Sequence, residues 1–440
     1  MKRQLTILSA VFLLAGLMPL WGLSQATQGQ TYAITNAKIV PVTKPDIERG
    51  TVVIRNGRIA AVGANVSVPG GATVIDARGL LVYPGMIDSG TNLGLTEIGQ
   101  VRATSDTTEL GEFNPHMRAI IAIHPDSEHI PVARVNGITS VVSRPSGGIF
   151  SGQAALINLD GWTWEEMNLK SPIGIAFNFP SLRGGGGGGF GFGAAQAQER
   201  SFQTARRERD ERLDRIRRLL DDARAYAKAK EAKAQNPSLP DVETDHALEA
   251  LIPVIKGDLP LIVSANSEQD IKAAVEFTQA QKVKMILSGG TEARKVAALL
   301  KEKGIPVILG PVLRLPQGED EPYDEPFTAA KALHEAGVKF ALQTNDSSNV
   351  RNLPYHAAMS AAFGLPKAEA LKALTISPAE IWGVADQVGS IEVGKLANLV
   401  VWDGDPLEIR SQVRHLFIKG KQVPLTSKHT ELYDRYRNRP

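Results

Sequence analysis

The chain has 440 residues, 43% hydrophobic and 22% charged, enough to bury a full core in one large α/β domain with a smaller companion. Its 49 basic and 47 acidic residues leave a net charge of +2, which gives no basis for nucleic acid or an anionic membrane surface as the main partner. There is no cysteine, which excludes disulfides, thiolate metal ligands and a cysteine nucleophile.

At the N-terminus, Lys2 and Arg3 precede an apolar stretch from Ile7 to Leu23, broken by Pro19 and followed by Ser24-Gln25-Ala26. This is the pattern of a bacterial-type secretory signal over residues 1–26, and it predicts a periplasmic or secreted protein with no membrane association after cleavage. The run is nearly long enough to span a bilayer, but Pro19 and the small-x-small site favour cleavage over a retained anchor.

From Thr31 to Pro84 the sequence alternates apolar and polar residues in short runs, and Asn56-Gly57 between two of them is a strong hairpin signal. A matching piece, ANLVVWDGDP and RHLFIKGKQV, lies near the other end. Two β-rich ends around a long middle predict one small sheet domain assembled from both.

The middle alternates buried strands with helices. Strands are predicted at 80–88, 137–145, 172–179, 259–266, 284–290, 305–312 and 338–346, with helices at 267–281 and 291–304 opening on Ser267 and Thr291 as N-caps. Apolar strands at this spacing read as parallel β/α units, seven or eight in number, and so as a (β/α)8 TIM barrel. In that fold, ligands sit at the C-terminal strand ends. Residues 184–198 (GGGGGGFGFGAAQAQ) are low-complexity and read as a linker or lid, without the Gly-Lys-Ser/Thr ending of a phosphate loop. A charged helix follows over 199–235, with a stripe of Leu213, Ile216, Leu220 and Ala223 and the pairs Glu208–Arg212 and Glu211–Arg215.

The glycine turn before LLVYPGMID, the barrel middle and the segment SPAEIWGVADQVGSIEVGKLANLVVWDGDP resemble the amidohydrolase superfamily, in particular its imidazolonepropionase-like members, over about residues 31–425. The resemblance implies a composite β-sandwich domain (27–84 and 386–425) and a metal-dependent barrel (85–385). An insertion at 184–235 and a tail at 426–440 complete the chain. It also implies hydrolysis of carbon–nitrogen bonds in cyclic amides, amidines or dipeptides, by a hydroxide generated on one or two divalent metals. The family's ligands are a His-x-His pair after the first strand, single histidines after the fifth and sixth, and an aspartate after the eighth that is also the general base.

Carried over position by position, the His-x-His places hold Gly90 and Asn92, the fifth-strand place holds Ser264, and the sixth lies near Ser288 or Gly289. Asp346 alone matches, and it is the candidate catalytic base. Glycine has no side chain and a serine hydroxyl is a weak ligand, so a divalent metal is the family's expectation while most of its ligands are missing here.

His116, His124 and His129 lie together in sequence, but their spacing does not align them on one helical face, and surface or packing roles suit them better. His334 reads as a helix-exterior residue, and His356 as a helix N-terminal one near Asp346 in sequence.

Polar residues nevertheless gather at the predicted strand ends: Asn92 and Glu97, Arg144, Gln153 with Asn158, Asn266, then Asn345, Arg351 and Asn352 around Asp346. Singly these are ordinary turn residues. Together they predict a pocket for a small polar molecule. Two functions follow as expectations: a carbon–nitrogen hydrolase of this family without the standard binuclear site, or a non-catalytic ligand-binding protein or subunit, alone or assembled with a histidine-bearing homologue.

Overall fold

The computed structural model describes residues 30–182, 202–316, 321–437 and 439. The secretory signal expected over residues 1–26 and the glycine-rich segment 184–198 lie outside the described residues.

Among the described residues, sixteen strands form two eight-stranded sheets. The first draws on both ends of the sequence: β1 (Tyr32–Ile39), β2 (Ile47–Arg55), β3 (Arg58–Gly63), β4 (Thr73–Asp76), β5 (Leu81–Pro84), and much later β14 (Leu399–Trp402), β15 (Val413–Ile418) and β16 (Lys421–Val423). They make one hydrogen-bonded network in the order β16-β15-β14-β5-β1-β2-β3, with β4 beside β1. Asn56 and Gly57 turn β2 into β3 with φ of 51° and 77°, as a two-residue hairpin of this hand requires. The core of this domain is Ile34, Ile39, Val52, Ile54, Leu399 and Phe417, all buried.

The second sheet is the barrel: β6 (Met86–Thr91), β7 (Ile138–Ser143), β8 (Phe150–Asn158), β9 (Asn168–Asn178), β10 (Leu261–Ala265), β11 (Met285–Gly289), β12 (Val307–Leu309) and β13 (Phe340–Leu342), paired in sequence order. The two ends of this order meet where Asn345 N–H donates to the Gly90 carbonyl at 2.9 Å and Thr344 bonds Asp88. All seven predicted strands are present. The predicted 80–88 strand divides at Gly85, its first half in the sheet domain and its second in the barrel.

One further strand corrects the expectation of parallel units throughout. Residues 150–158 form β8, antiparallel to both β7 and β9. The chain doubles back through Gly147 and Gly148, both in the left-handed region (φ 83° and 61°), where a side chain on Gly148 would meet the Gly111 carbonyl at 2.9 Å.

Ser267 caps its helix as predicted, accepting from Asp270 N–H at 3.1 Å. Thr291 does not, because its hydroxyl bonds Asn266 and a short 3-10 turn precedes the helix. The charged helix, Phe202–Gln235, buries its predicted stripe in the chain's own core cluster. Arg215 leaves Glu211 for Glu112 at 2.6 Å, and Glu211 pairs with Arg207 at 3.6 Å. Among the described residues no helix is long and apolar enough to cross a membrane.

Candidate functional site

Each barrel strand gives residues to one apolar cluster: Ile87, Val142, Ala154 with Leu156, Ile173, Ile262, Ile286, Ile308 and Ala341. Side chains from all eight strands meet only inside the barrel, so this cluster is its interior. Ile376, Ala379 and Trp382 join it, and the Trp382 indole donates to the Ser89 hydroxyl at 3.3 Å.

Because strand side chains alternate with a period of two, the next interior level toward the C-terminal ends falls on Arg144, Ser264, Ser288, Gly310 and Gln343. These are polar or small, and four of them are joined. Arg144 donates through Nη1 to Ser288 Oγ, Ser288 Oγ donates to Gln343 Oε1 at 3.3 Å, and Gln343 Nε2 donates to the Gly310 carbonyl at 3.1 Å. Arg144 Nη2 donates to Asn345 Oδ1 at 2.9 Å. Arg144 follows β7 and Ser288 lies near the end of β11, four strands apart among eight, so the arginine side chain crosses the barrel lumen.

The same network explains Gly90. A Cβ at that position would lie 2.1 Å from Gln343 Oε1, so the space beside β6 is already filled by the glutamine amide. Ser288 and Gln343 are 2% and 1% exposed, which leaves the amide no solvent to retreat into without breaking its bonds.

Two ionisable groups are perturbed by this packing. Asp88 is fully buried and its pKa is pushed up to about 7 by burial, opposed by hydrogen bonds from Thr344 and Gly90 and by the charge of Arg144. Arg144 is lowered to about 10, again by burial, with Asp88 acting the other way. It keeps only a partial opening to solvent. Among the described residues no carboxylate oxygen lies within ion-pair distance of it.

Asp346 sits on the loop after β13, half-buried, and closes a turn on itself. Its Oδ1 accepts from Ser348 N–H (2.8 Å), Ser348 Oγ (3.0 Å) and Asn349 N–H (3.3 Å), and its Oδ2 from Asn349 Nδ2 (2.9 Å). Burial raises its pKa, but these four donors outweigh that and hold it below the ordinary carboxylate value.

The other predicted residues divide. Asn345 joins Arg144 from an exposed, left-handed position (φ 56°). Asn266 reaches the neighbouring strand's loop, accepting from Thr291 Oγ1 at 3.1 Å. Asn92 donates to Thr96 Oγ1 at 3.3 Å, and its buried Oδ1 has no protein partner. Glu97 is engaged in its own loop by Ser127 Oγ (2.6 Å) and Glu128 N–H (3.1 Å). Gln153 donates to the Pro115 carbonyl at 3.3 Å, and Arg351 to the Ser348 carbonyl at 3.1 Å. Asn352 ends a short turn before the helix Leu353–Ala362. Asn158 lies at the opposite end of reversed β8, where its Oδ1 accepts from Ser140 and from Asn398 of the sheet domain. The arrangement thus centres on Arg144 and Asn345, joined by Ser288 and Gln343, which sequence reasoning did not select as ligand-binding residues. Ser288 is marked in the sequence only as a place where the resemblance expects a histidine, and the strand period is the one signal that points to Gln343.

The histidines are scattered. His124 faces Asp106 at 3.4 Å, and His129 Nε2 lies 2.8 Å from the Glu97 carbonyl. His334 stands 3.9 Å from Glu369. His356, expected at a solvated helix start, is buried: its Nδ1 accepts from Val312 N–H at 3.1 Å, and burial lowers its pKa to about 4. Among the described residues no three His, Asp or Glu side chains group as a metal site would need.

An eight-stranded barrel carrying a sheet domain built from both chain ends, with its polar groups at the C-terminal strand ends, defines an α/β-barrel protein with a composite sheet domain. The amidohydrolase family model matches residues 243–423. The structure aligns with an amidohydrolase from Thermotoga maritima at a TM-score of 0.77 and 28% identity, over 89% of this chain and 99% of that one. In sequence, the chain is 25% identical to Amidohydrolase tasK of Hapsidospora irregularis over 84% of its length, and spans 39% of the length of that relative. It is 24% identical to an imidazolonepropionase of Mesorhizobium japonicum, over 81% of this chain and 87% of that protein. The chain belongs to the amidohydrolase superfamily.

Proposed function

We propose that this chain is an amidohydrolase-family protein of the class acting on carbon–nitrogen bonds of cyclic amides, whose barrel mouth recognises a small polar molecule without the family's paired metal centre. The observation that carries the reading is the Arg144–Ser288–Gln343 network. A guanidinium crosses the lumen to Ser288 and a glutamine amide fills the space over Gly90, two positions to which the resemblance assigns metal-ligand histidines.

The donor set does not fit a divalent pair. A metal pair needs several imidazole and carboxylate donors converging at about 2.0–2.2 Å. Here Asp88 is enclosed by Thr344 and Gly90, Asp346 is saturated by its own turn, and neutral serine and amide oxygens make up the rest. Ser288 and Gln343 already bond one another and Arg144.

Within the class, recognition rather than water activation is the reading the geometry supports best. A general base needs an available lone pair and a pKa near the working pH. Asp346 has four donors on its two oxygens and a depressed pKa. A ligand-binding protein, or a non-catalytic subunit beside a histidine-bearing homologue, has no such requirement.

The test is a panel of a hydantoin, an imidazolone and a dipeptide, run on chelator-treated and zinc-supplemented protein. Binding without turnover in both preparations is expected. Zinc-dependent hydrolysis that disappears in Asp346→Ala would overturn the reading.

A further inference from the structure

We propose that Arg144 is an anchor for a carboxylate, so that the barrel mouth takes a small organic monoanion; this rests on the reading of the mouth as a ligand site. A guanidinium has five N–H donors in a planar fork matched to the two oxygens of a carboxylate. Arg144 spends two of them on protein, one on Ser288 Oγ and one on Asn345 Oδ1, both neutral oxygens. The other three have no protein acceptor among the described residues. An enclosed cation held only by neutral acceptors is an unbalanced charge, and buried charges are ordinarily paired.

The two neutral contacts also orient the group. Ser288 holds one end from across the lumen and Asn345 holds the other from the loop after β13, so the plane of the fork is fixed before a ligand arrives. Preorganisation of this kind lowers the ordering cost of binding. Asn345 adopts a left-handed backbone (φ 56°), an unusual conformation for a residue with a side chain, and its Oδ1 accepts the Arg144 bond.

Charge selects the class of anion. The charge that acts on Arg144 inside the barrel is that of buried Asp88, and among the described residues no second cation bonds its partners Ser288 and Asn345. That balance suits a single negative charge, whereas a phosphate dianion calls for more than one cation. The contact is a point of attachment for the ligand and assigns no reaction step to Arg144.

The experiment is calorimetric titration of the full-length mature protein, in the presence of chelator, with N-acetylglycine, its neutral amide N-acetylglycinamide, and inorganic phosphate. N-acetylglycine is expected to bind at least tenfold more tightly than either of the others. Arg144→Gln should abolish that preference, and Arg144→Lys should retain part of it, keeping charge but losing the fork. Should Arg144→Gln fail to fold, Asn345→Gly provides an independent variant that keeps the backbone conformation and loosens only the fork. It should weaken N-acetylglycine binding several-fold at an unchanged melting temperature.

Equal affinity for the acid and the amide, or full affinity in a folded Arg144→Gln protein, would overturn the carboxylate assignment while leaving the ligand site standing. Phosphate binding tightest would overturn it in favour of a dianion. Binding of no probe would overturn it outright. Stoichiometric zinc uptake that blocks N-acetylglycine would overturn the metal-free reading of the mouth on which the proposal rests.

Discussion

At its lower level the barrel interior takes aliphatic side chains from all eight strands and seals them with Trp382; two residues further along the strands it takes Arg144, Ser264, Ser288, Gly310 and Gln343. Both levels obey the same strand period, yet the first is filled by shape and the second by hydrogen bonds. The lower level would serve any member of this fold, since burial of apolar area is non-directional. The upper level is specific in its pairing, because each polar group there must find a particular partner or forfeit the cost of burying it. Fold identity therefore resides in one level and functional identity in the other.

The comparison breaks most visibly at the lower level. Trp382→Ala removes the plug, which is 3% exposed, together with its bond to Ser89, and should cost about 3–5 kcal/mol in urea unfolding. A loss below about 1 kcal/mol would mean that the lower level is not sealed by this side chain.

The next effect lies in pH dependence. Folding raises the pKa of Asp88 from 3.8 to about 7, so the native state keeps a proton that the unfolded chain has released, and stability falls as pH rises from about 4 to about 7. His356 works oppositely. Its pKa drops from 6.5 to about 4, so the unfolded chain binds a proton the native state refuses, and stability rises with pH between about 4 and 6.5. A tenfold change in proton affinity is worth about 1.4 kcal/mol for either group, so the two slopes largely offset one another. Asp88→Asn should expose the His356 slope, with unfolding midpoints climbing from pH 4 to pH 6.5. An unchanged profile would contradict the burial assigned to Asp88.

A smaller effect tests the packing over Gly90. Gly90→Ala forces Gln343 off the Gly310 carbonyl and Ser288, and should cost about 1–3 kcal/mol. Combining it with Gln343→Ala should recover part of that loss, a non-additivity that a double-mutant cycle measures directly. Simple additivity would separate the two residues. The smallest effect belongs to Asp346→Ala, which removes a turn on a partly exposed loop and should cost about 1 kcal/mol by thermal unfolding.

Much of the lower level was legible in the sequence. Strand runs such as LPLIVSAN and KMILSGG carry both position and direction, and Asn56-Gly57 names its own turn. The reversal of β8 was not legible, since SGQAALINLDG reads equally well as a loop of turn residues. It took the positive φ of Gly147 and Gly148 to send the strand back. That reversal carries Asn158 away from the mouth, while Gln153 turns toward the Pro115 carbonyl.

At the site, sequence spacing located Arg144 and Asn345 but gave no sign that they touch, because 201 residues separate them. Ser288 entered only as a place where the family carries a histidine, and Gln343 not at all. A side chain crossing a barrel lumen leaves no local trace in sequence, and His356 shows the same limit, its burial depending on Val312 from another strand's loop.

The most direct measurement of the central claim, that a fixed guanidinium and not a metal pair occupies this mouth, is the metal content of the purified protein. Protein equilibrated with excess zinc and then dialysed would be analysed by inductively coupled plasma mass spectrometry, beside Asp346→Ala. The account predicts well under one equivalent of zinc in both proteins. One or more equivalents in the native protein, lost in Asp346→Ala, would contradict it.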